Sequence, residues 1–115
     1  MITKFKIFES INEGIPKIGD YVIINNHEDD FYSDKALNFL NNSIGYIFKN
    51  AGKYSFLVKY FDIPEYDIKV YFQYSDYLDG LKVGNAILVN IKNIEYWSRD
   101  IKEIEDILKG KKYNL

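Results

Sequence analysis

The sequence predicts a mainly β fold with flanking helices: a small, curved antiparallel sheet or barrel, an inserted short helix and a C-terminal helix. Three observations lead there. Short runs of alternating apolar and polar residues, divided by Gly- and Asn-bearing turns, fill the middle of the chain. Stretches with three- and four-residue apolar spacing bracket those runs. At 115 residues the chain is long enough for one core and too short for two ordinary domains.

The first element is "KFKIFESINEG", where Phe5, Phe8 and Ile11, with Ile15 just beyond, recur at helical spacing, and Gly14 and Pro16 mark the stop. This predicts an amphipathic helix or leader over residues 1–14. The period then changes. "KIGDYVIIN" gives a turn at Gly19–Asp20 and a strand with Val22 and Ile24 on one face. "NNHEDDFYSDKALNFLNN" is a polar excursion with a helix near 34–41, starting after Ser33 or Asp34 and burying Ala36, Leu37, Phe39 and Leu40.

"SIGYIFKNAGKYSFLVKYFD" reads as two strands around an Asn50–Lys53 hairpin loop, with Phe56, Val58 and Tyr60 sharing a face. "YDIKVYFQ" alternates Ile68, Val70 and Phe72 against Lys69, Tyr71 and Gln73, which predicts another half-buried strand. A loop, "YSDYLDGLKVG", leads to "NAILVNIKNIEYW", a strand followed by a short extended or turn segment. The core unit therefore spans 15–97. Residues 98–112 form the closing helix on the barrel, with Ser98 or an Asp100/Glu103 capping box at its start. Its apolar stripe is Ile101, Ile104, Ile107 and Leu108, and Gly110 is its expected stop. Alternation on both faces of some strands predicts that the terminal helices cover part of the sheet's outer surface.

Composition narrows the chemistry. The net charge is -2 with both signs mixed along the chain, which disfavours broad electrostatic binding of nucleic acid. No cysteine is present, so disulfides, thiol catalysis and thiolate metal sites are excluded. No apolar run reaches the roughly 18–20 residues of a membrane span, and charges interrupt any secretory h-region. The expectation is a soluble chain, in a bacterial cytoplasm or a virion. Lysine outnumbers arginine fourteen to one and Ile, Asn, Tyr and Phe are abundant, a bias of AT-rich genomes.

Few residues point to a reaction. His27, Glu28, Asp29 and Asp30, with Asp34 nearby, have metal-ligand chemistry, but consecutive residues do not readily converge on one ion. They read instead as a solvated loop that caps the next helix, so no metal or cofactor is expected. The single His27 gives no supportable Ser–His–acid geometry. Asp62, Glu65, Asp67, Asp76 and Asp79 leave a carboxylate-dependent hydrolase as the least favoured reading. The aromatic residues Tyr46, Tyr66, Tyr71, Tyr74, Tyr77 and Trp97 are the candidate interaction surface, with core packing as the competing role.

Two resemblances follow. Pro16, Gly19, Asp20 and Val22, then Gly45 and Ile47, then Tyr54, Phe56, Val58 and Tyr60, resemble the opening of KOW-type and related Src-homology-like small barrels. That resemblance covers about residues 15–75 and implies a fold, not an activity. The insert from Asn25 to Asn42 departs from the compact form, and the basic loop residues of nucleic-acid-binding members are missing. Separately, the first residues resemble the capsid-targeting leader of internal proteins of T-even-like tailed phages. In that family a protease cuts after Glu in a Leu/Ile-x-Glu context. Ile11–Asn12–Glu13 before Gly14 matches, which implies processing between Glu13 and Gly14. The alternative is a terminal helix docked on the barrel. The leading expectation is a non-enzymatic, phage-encoded module whose partner is a protein. A nucleic-acid- or ribosome-associated module using Lys49, Lys53, Lys59 and Lys69 is the alternative.

Overall fold

A computed structural model describes residues 15–26, 31–72 and 85–113. The predicted helix or leader over 1–14, the His27–Asp30 cluster and the 74–84 loop lie outside these residues. The chain enters through a tight turn. The Lys17 N–H donates to Asp20 Oδ2 at 2.8 Å, and Gly19 takes φ +99°, a conformation that L side chains rarely adopt. A Cβ on Gly19 would also lie 2.8 Å from an Arg99 guanidinium nitrogen. Strand β1 (Tyr21–Ile24) follows.

Helix α1 (Asp34–Asn41) starts as the sequence implies: the Ser33 hydroxyl accepts the Ala36 N–H at 3.2 Å. Ala36 and Leu40 are buried, whereas Leu37 and Phe39 are only half-buried. Strands β2 (Gly45–Asn50) and β3 (Ser55–Tyr60) form the predicted hairpin, with Gly52 at φ +122° in its loop. Phe56, Val58 and Tyr60 all face the core. Gly45 pairs with Tyr60, and a Cβ there would meet Val58 Cγ1 at 2.4 Å and the Tyr60 ring at 2.9 Å. The aromatic ring occupies the space that any side chain at residue 45 would need.

Two strands complete the sheet, β4 (Ala86–Asn90) and β5 (Ile94–Ser98), joined by a 3₁₀ turn at Ile91–Asn93. The strand order is β4-β3-β2-β1-β5, antiparallel throughout. β4 and β5 are thus the two edges of the sheet, yet only three residues connect them. In a flat sheet the edges would be about 19 Å apart, whereas four residue steps reach about 14 Å at most. The sheet must curl. The turn is fixed to both sides: the Ile91 N–H donates to Tyr54 O at 2.8 Å, and Asn93 O accepts the Asn25 N–H at 2.7 Å.

The concave interior holds Val22, Ile24, Ile47, Phe56, Val58, Tyr60, Ile87, Val89, Ile94 and Trp97. Ile23, of opposite parity on β1, is equally buried. Helix α3 (Ile101–Tyr113) packs across β1 and β5, with Ile104 buried and Ile107 and Leu108 half-buried. A helix therefore covers part of the sheet's outer face, as the double-sided alternation implied.

Four expectations change. The segment expected as a strand at Ile68–Phe72 opens with a helical turn, α2 (Tyr66–Lys69). Ile68 and Phe72 are buried, but Val70 between them is 45% exposed, so the working period is four rather than two. The extended segment after β4 is a full strand, β5. Gly110 does not stop α3, which continues to Tyr113 and carries Lys111 to within 3.2 Å of Asn41 O. Ile101, expected in the buried stripe, is exposed. At the start of α3, Ser98 and Asp100 share the capping. The Ser98 hydroxyl accepts the Asp100 N–H and donates to Glu103, while Asp100 Oδ1 accepts the Lys102 N–H.

Candidate functional site

Those of the predicted aromatic residues that the structure describes do not form one groove. Trp97 is 7% exposed and belongs to the core. Its position on β5 opposite Val22 places the indole inside the curl. Tyr66 is 74% exposed on α2. Tyr71 packs instead against Phe31 and Tyr32, with ring centroids 5.4 and 5.3 Å away. Tyr74 and Tyr77 lie outside the described residues, as do Glu13 and Gly14.

Tyr46 anchors a different assembly. It alternates with the inward Gly45 and Ile47, so its ring lies on the outward face of β2. The register aligns Tyr21, Tyr46 and Lys59 in one row across β1, β2 and β3. The Tyr21 and Tyr46 ring centroids are 5.1 Å apart. Lys59 Nζ sits 5.4 Å from the Tyr46 centroid and 5.8 Å from that of Phe61, which is 54% exposed. An ammonium over the negative faces of two rings is a favourable placement. Such a patch presents apolar area and one cation on adjoining strands. Of its four members, the sequence singled out Tyr46 as an aromatic and Lys59 as one of a dispersed set of lysines, but did not join them, because the cross-strand register is not written in any one segment.

A second feature runs beside β4. A cleft of about 220 Å³ is lined by Ile24, Asn26, Tyr32, Leu88, Asn90 and Asn93, among others, with no charged side chain at its walls among the described residues. It is smaller than the roughly 300–1,000 Å³ typical of small-molecule sites. It has room for a side chain or a length of backbone.

Of the loop carboxylates, Glu65 and Asp67 are placed for structure, and Asp76 and Asp79 lie outside the described residues. Lys35 on α1 bonds to both Glu65 and Asp67, the latter at 3.2 Å, and so ties α1 to α2. The lysine holds the Asp67 carboxyl below its usual pKa, and the carboxylates raise that of Lys35. That direction is opposite to the one a general acid at neutral pH requires. Asp20 is buried beneath the chain's single arginine. Arg99 Nε lies 3.7 Å from its carboxylate, and another guanidinium nitrogen donates to Ile18 O at 3.0 Å. The Gly19–Asp20 motif thus staples the entry of β1 to the exit of β5. Burial drives the Tyr60 phenol pKa far upward, which keeps it neutral in the core. No helix among the described residues is long and apolar enough to cross a membrane, and none of these residues form a cluster of metal-ligating side chains. No protein-family model, curated protein or solved structure matches the chain.

Proposed function

We propose that this chain is a small β-barrel interaction module that binds another protein through the outward face of β1, β2 and β3. The observation that carries this reading is the row Tyr21, Tyr46 and Lys59, with Phe61 beyond it. Rigid aromatic rings and a held cation offer contact area with little side-chain entropy left to lose, the composition of binding hot spots. The fitting partner surface supplies apolar side chains to the rings and a hydrogen-bond acceptor to Lys59. A Src-homology-like barrel agrees with the antiparallel strand order and with the short link between the two edges. A phage origin and virion association rest on Ile11–Asn12–Glu13–Gly14 and on the composition.

The test is a photo-crosslinking residue at Tyr21 in the native host, followed by reconstitution with the protein it captures. Tyr46→Ala and Phe61→Ala are expected to weaken that complex at least tenfold while leaving the thermal midpoint within a few degrees. Unchanged affinity in both variants contradicts the reading. The mass of the chain in purified virions tests the rest: a start at Gly14 supports processing, and an intact Met1 rejects it.

One observation favours a second reading. Lys53 lies 5.4 Å from the Tyr54 ring, as Lys59 does from Tyr46, and paired cations and exposed rings also suit stacked bases. Crosslinks to RNA or DNA, with affinity falling steeply as salt rises, would select it.

A further inference from the structure

The strand that carries Tyr46 does not keep its alternation to the end. Gly45 and Ile47 are buried and Tyr46 faces outward, so a strict period of two would turn Lys49 inward with them. The register against β3 shifts first: Ile47 pairs with Val58, and Lys49 pairs with Leu57. Two steps along β2 match one step along β3, which makes a bulge at Phe48. Val58 belongs to the core, so Leu57 faces the other way, as does the exposed Leu88 with which it pairs. The bulge therefore turns Lys49 outward, onto the same side as Tyr46 and Lys59.

The neighbours of Lys49 give this its meaning. Leu57 and Lys59 are successive outward residues of β3, with Lys49 across from the first and Tyr46 across from the second. Lys49 and Lys59 are thus diagonal neighbours, about 7–8 Å apart at Cα. Tyr46, Leu57 and the exposed Phe61 stand around them. Lys49 is itself exposed and makes no ion pair with a described residue.

We propose, building on the protein-binding reading of this face, that the partner presents an acidic segment in which carboxylates are interspersed with apolar residues. Lys49, beside Lys59, holds a carboxylate of that segment, and its apolar residues lie on Tyr46 and Phe61. A phosphate chain fits less well, because it carries a charge at every residue. The exposed Asp62 follows Phe61 at the far end of the row, so a nucleic-acid strand tracking the face would run from cations onto a carboxylate. A peptide places its acids only where the two lysines stand.

Amide NMR of the full chain, titrated with a short synthetic peptide in which Leu and Asp alternate with Ser, tests this. The same peptide with Asn in place of Asp, and a thymidine oligonucleotide, are the comparisons. The expected result is saturable binding of the Asp peptide, with the largest shifts at Tyr46, Lys49, Leu57 and Phe61. The Asn peptide should bind at least tenfold more weakly, and Lys49→Gln should weaken the Asp peptide several-fold. Lys49→Glu should weaken it further. Both variants alter an exposed side chain, and circular dichroism checks that they are folded; the Asp and Asn peptides on the wild type decide the matter without them. Equal binding of the two peptides at this face overturns the proposal and leaves the protein-binding reading standing. Tighter binding of the oligonucleotide overturns both. No shift on this face with the Asp peptide up to about millimolar, or undiminished binding in a folded Lys49 variant, also overturns the proposal.

Discussion

The sheet ends in two edges of opposite character. At β5 the register against β1 slips between Ile23 and Ile24, leaving Glu95 as an extra residue. Its carboxylate accepts the Asn25 amide at 2.8 Å and faces Lys111 of α3 at 3.6 Å. Trp97 fills the core beside it, and the buried Ser98 hydroxyl starts the helix that covers the strand. The chain closes this edge with a bulge, a charge and its own C-terminal helix. At β4 the strand is regular and neutral, with Leu88 exposed. The difference is that β5 is finished by a bulge, a charge and a helix, whereas β4 is held by an unbroken ladder to β3 and leaves only the Leu88 side chain largely exposed.

Substitutions on the two edges should therefore differ in kind. The largest effect belongs to Trp97→Ala, which empties the core end of β5 and should cost about 3–5 kcal/mol in a urea titration. Next is Glu95→Ala, which removes an acceptor shared by Asn25 and Lys111 in a half-buried position. The same titration should show a loss of about 1–3 kcal/mol. Leu88→Ala on β4 should change the stability of the dilute monomer by less than about 0.5 kcal/mol, since its side chain is exposed. A Leu88→Ala loss as large as that of Glu95→Ala would break the comparison, because β4 would then be covered within the monomer.

The smallest effect is a pH dependence away from both edges. Lys35 lowers the Asp67 pKa, chiefly through their hydrogen bond. A carboxylate with a depressed folded-state pKa contributes stability above its unfolded value, and loses it as pH falls through the folded one. Both side chains are more than half exposed, so the contribution is small. Comparing acid titrations of wild type and Lys35→Met should show a slightly earlier loss of stability in wild type, relative to its neutral-pH value, and a reduced slope in the variant.

Much of the fold was legible in the sequence. The Ser33 cap, the hairpin at Asn50–Lys53 and the inward set Phe56, Val58 and Tyr60 all follow from local spacing. α2 was not, because Ile68 and Phe72 fit a period of four as well as two across so short a segment. Packing decides it: Phe72 sets its ring 5.7 Å from Tyr60 and 6.1 Å from Phe39. Gly110 reads as a helix stop, yet α3 continues past it, where Lys111 reaches Glu95 and Asn41. Tertiary partners outweigh the roughly 1 kcal/mol that glycine costs in a helix. The candidate site was legible only in part. Tyr46 stood out as an aromatic, whereas Tyr21, Lys59 and Phe61 join it through a register that depends on pairing across three strands. For Trp97 the sequence left open a surface role and a core role, and its place on β5 opposite Val22 puts it in the core.

The contrast between edges comes down to individual amides, and residue-resolved hydrogen exchange on the full chain reads them directly. In dilute solution, Ile87 and Val89 should be protected through β3, while Leu88 between them exchanges rapidly. A Leu88 amide as slow as those of Ile87 and Val89 would contradict the account, since the alternation of the β3–β4 ladder would then be wrong.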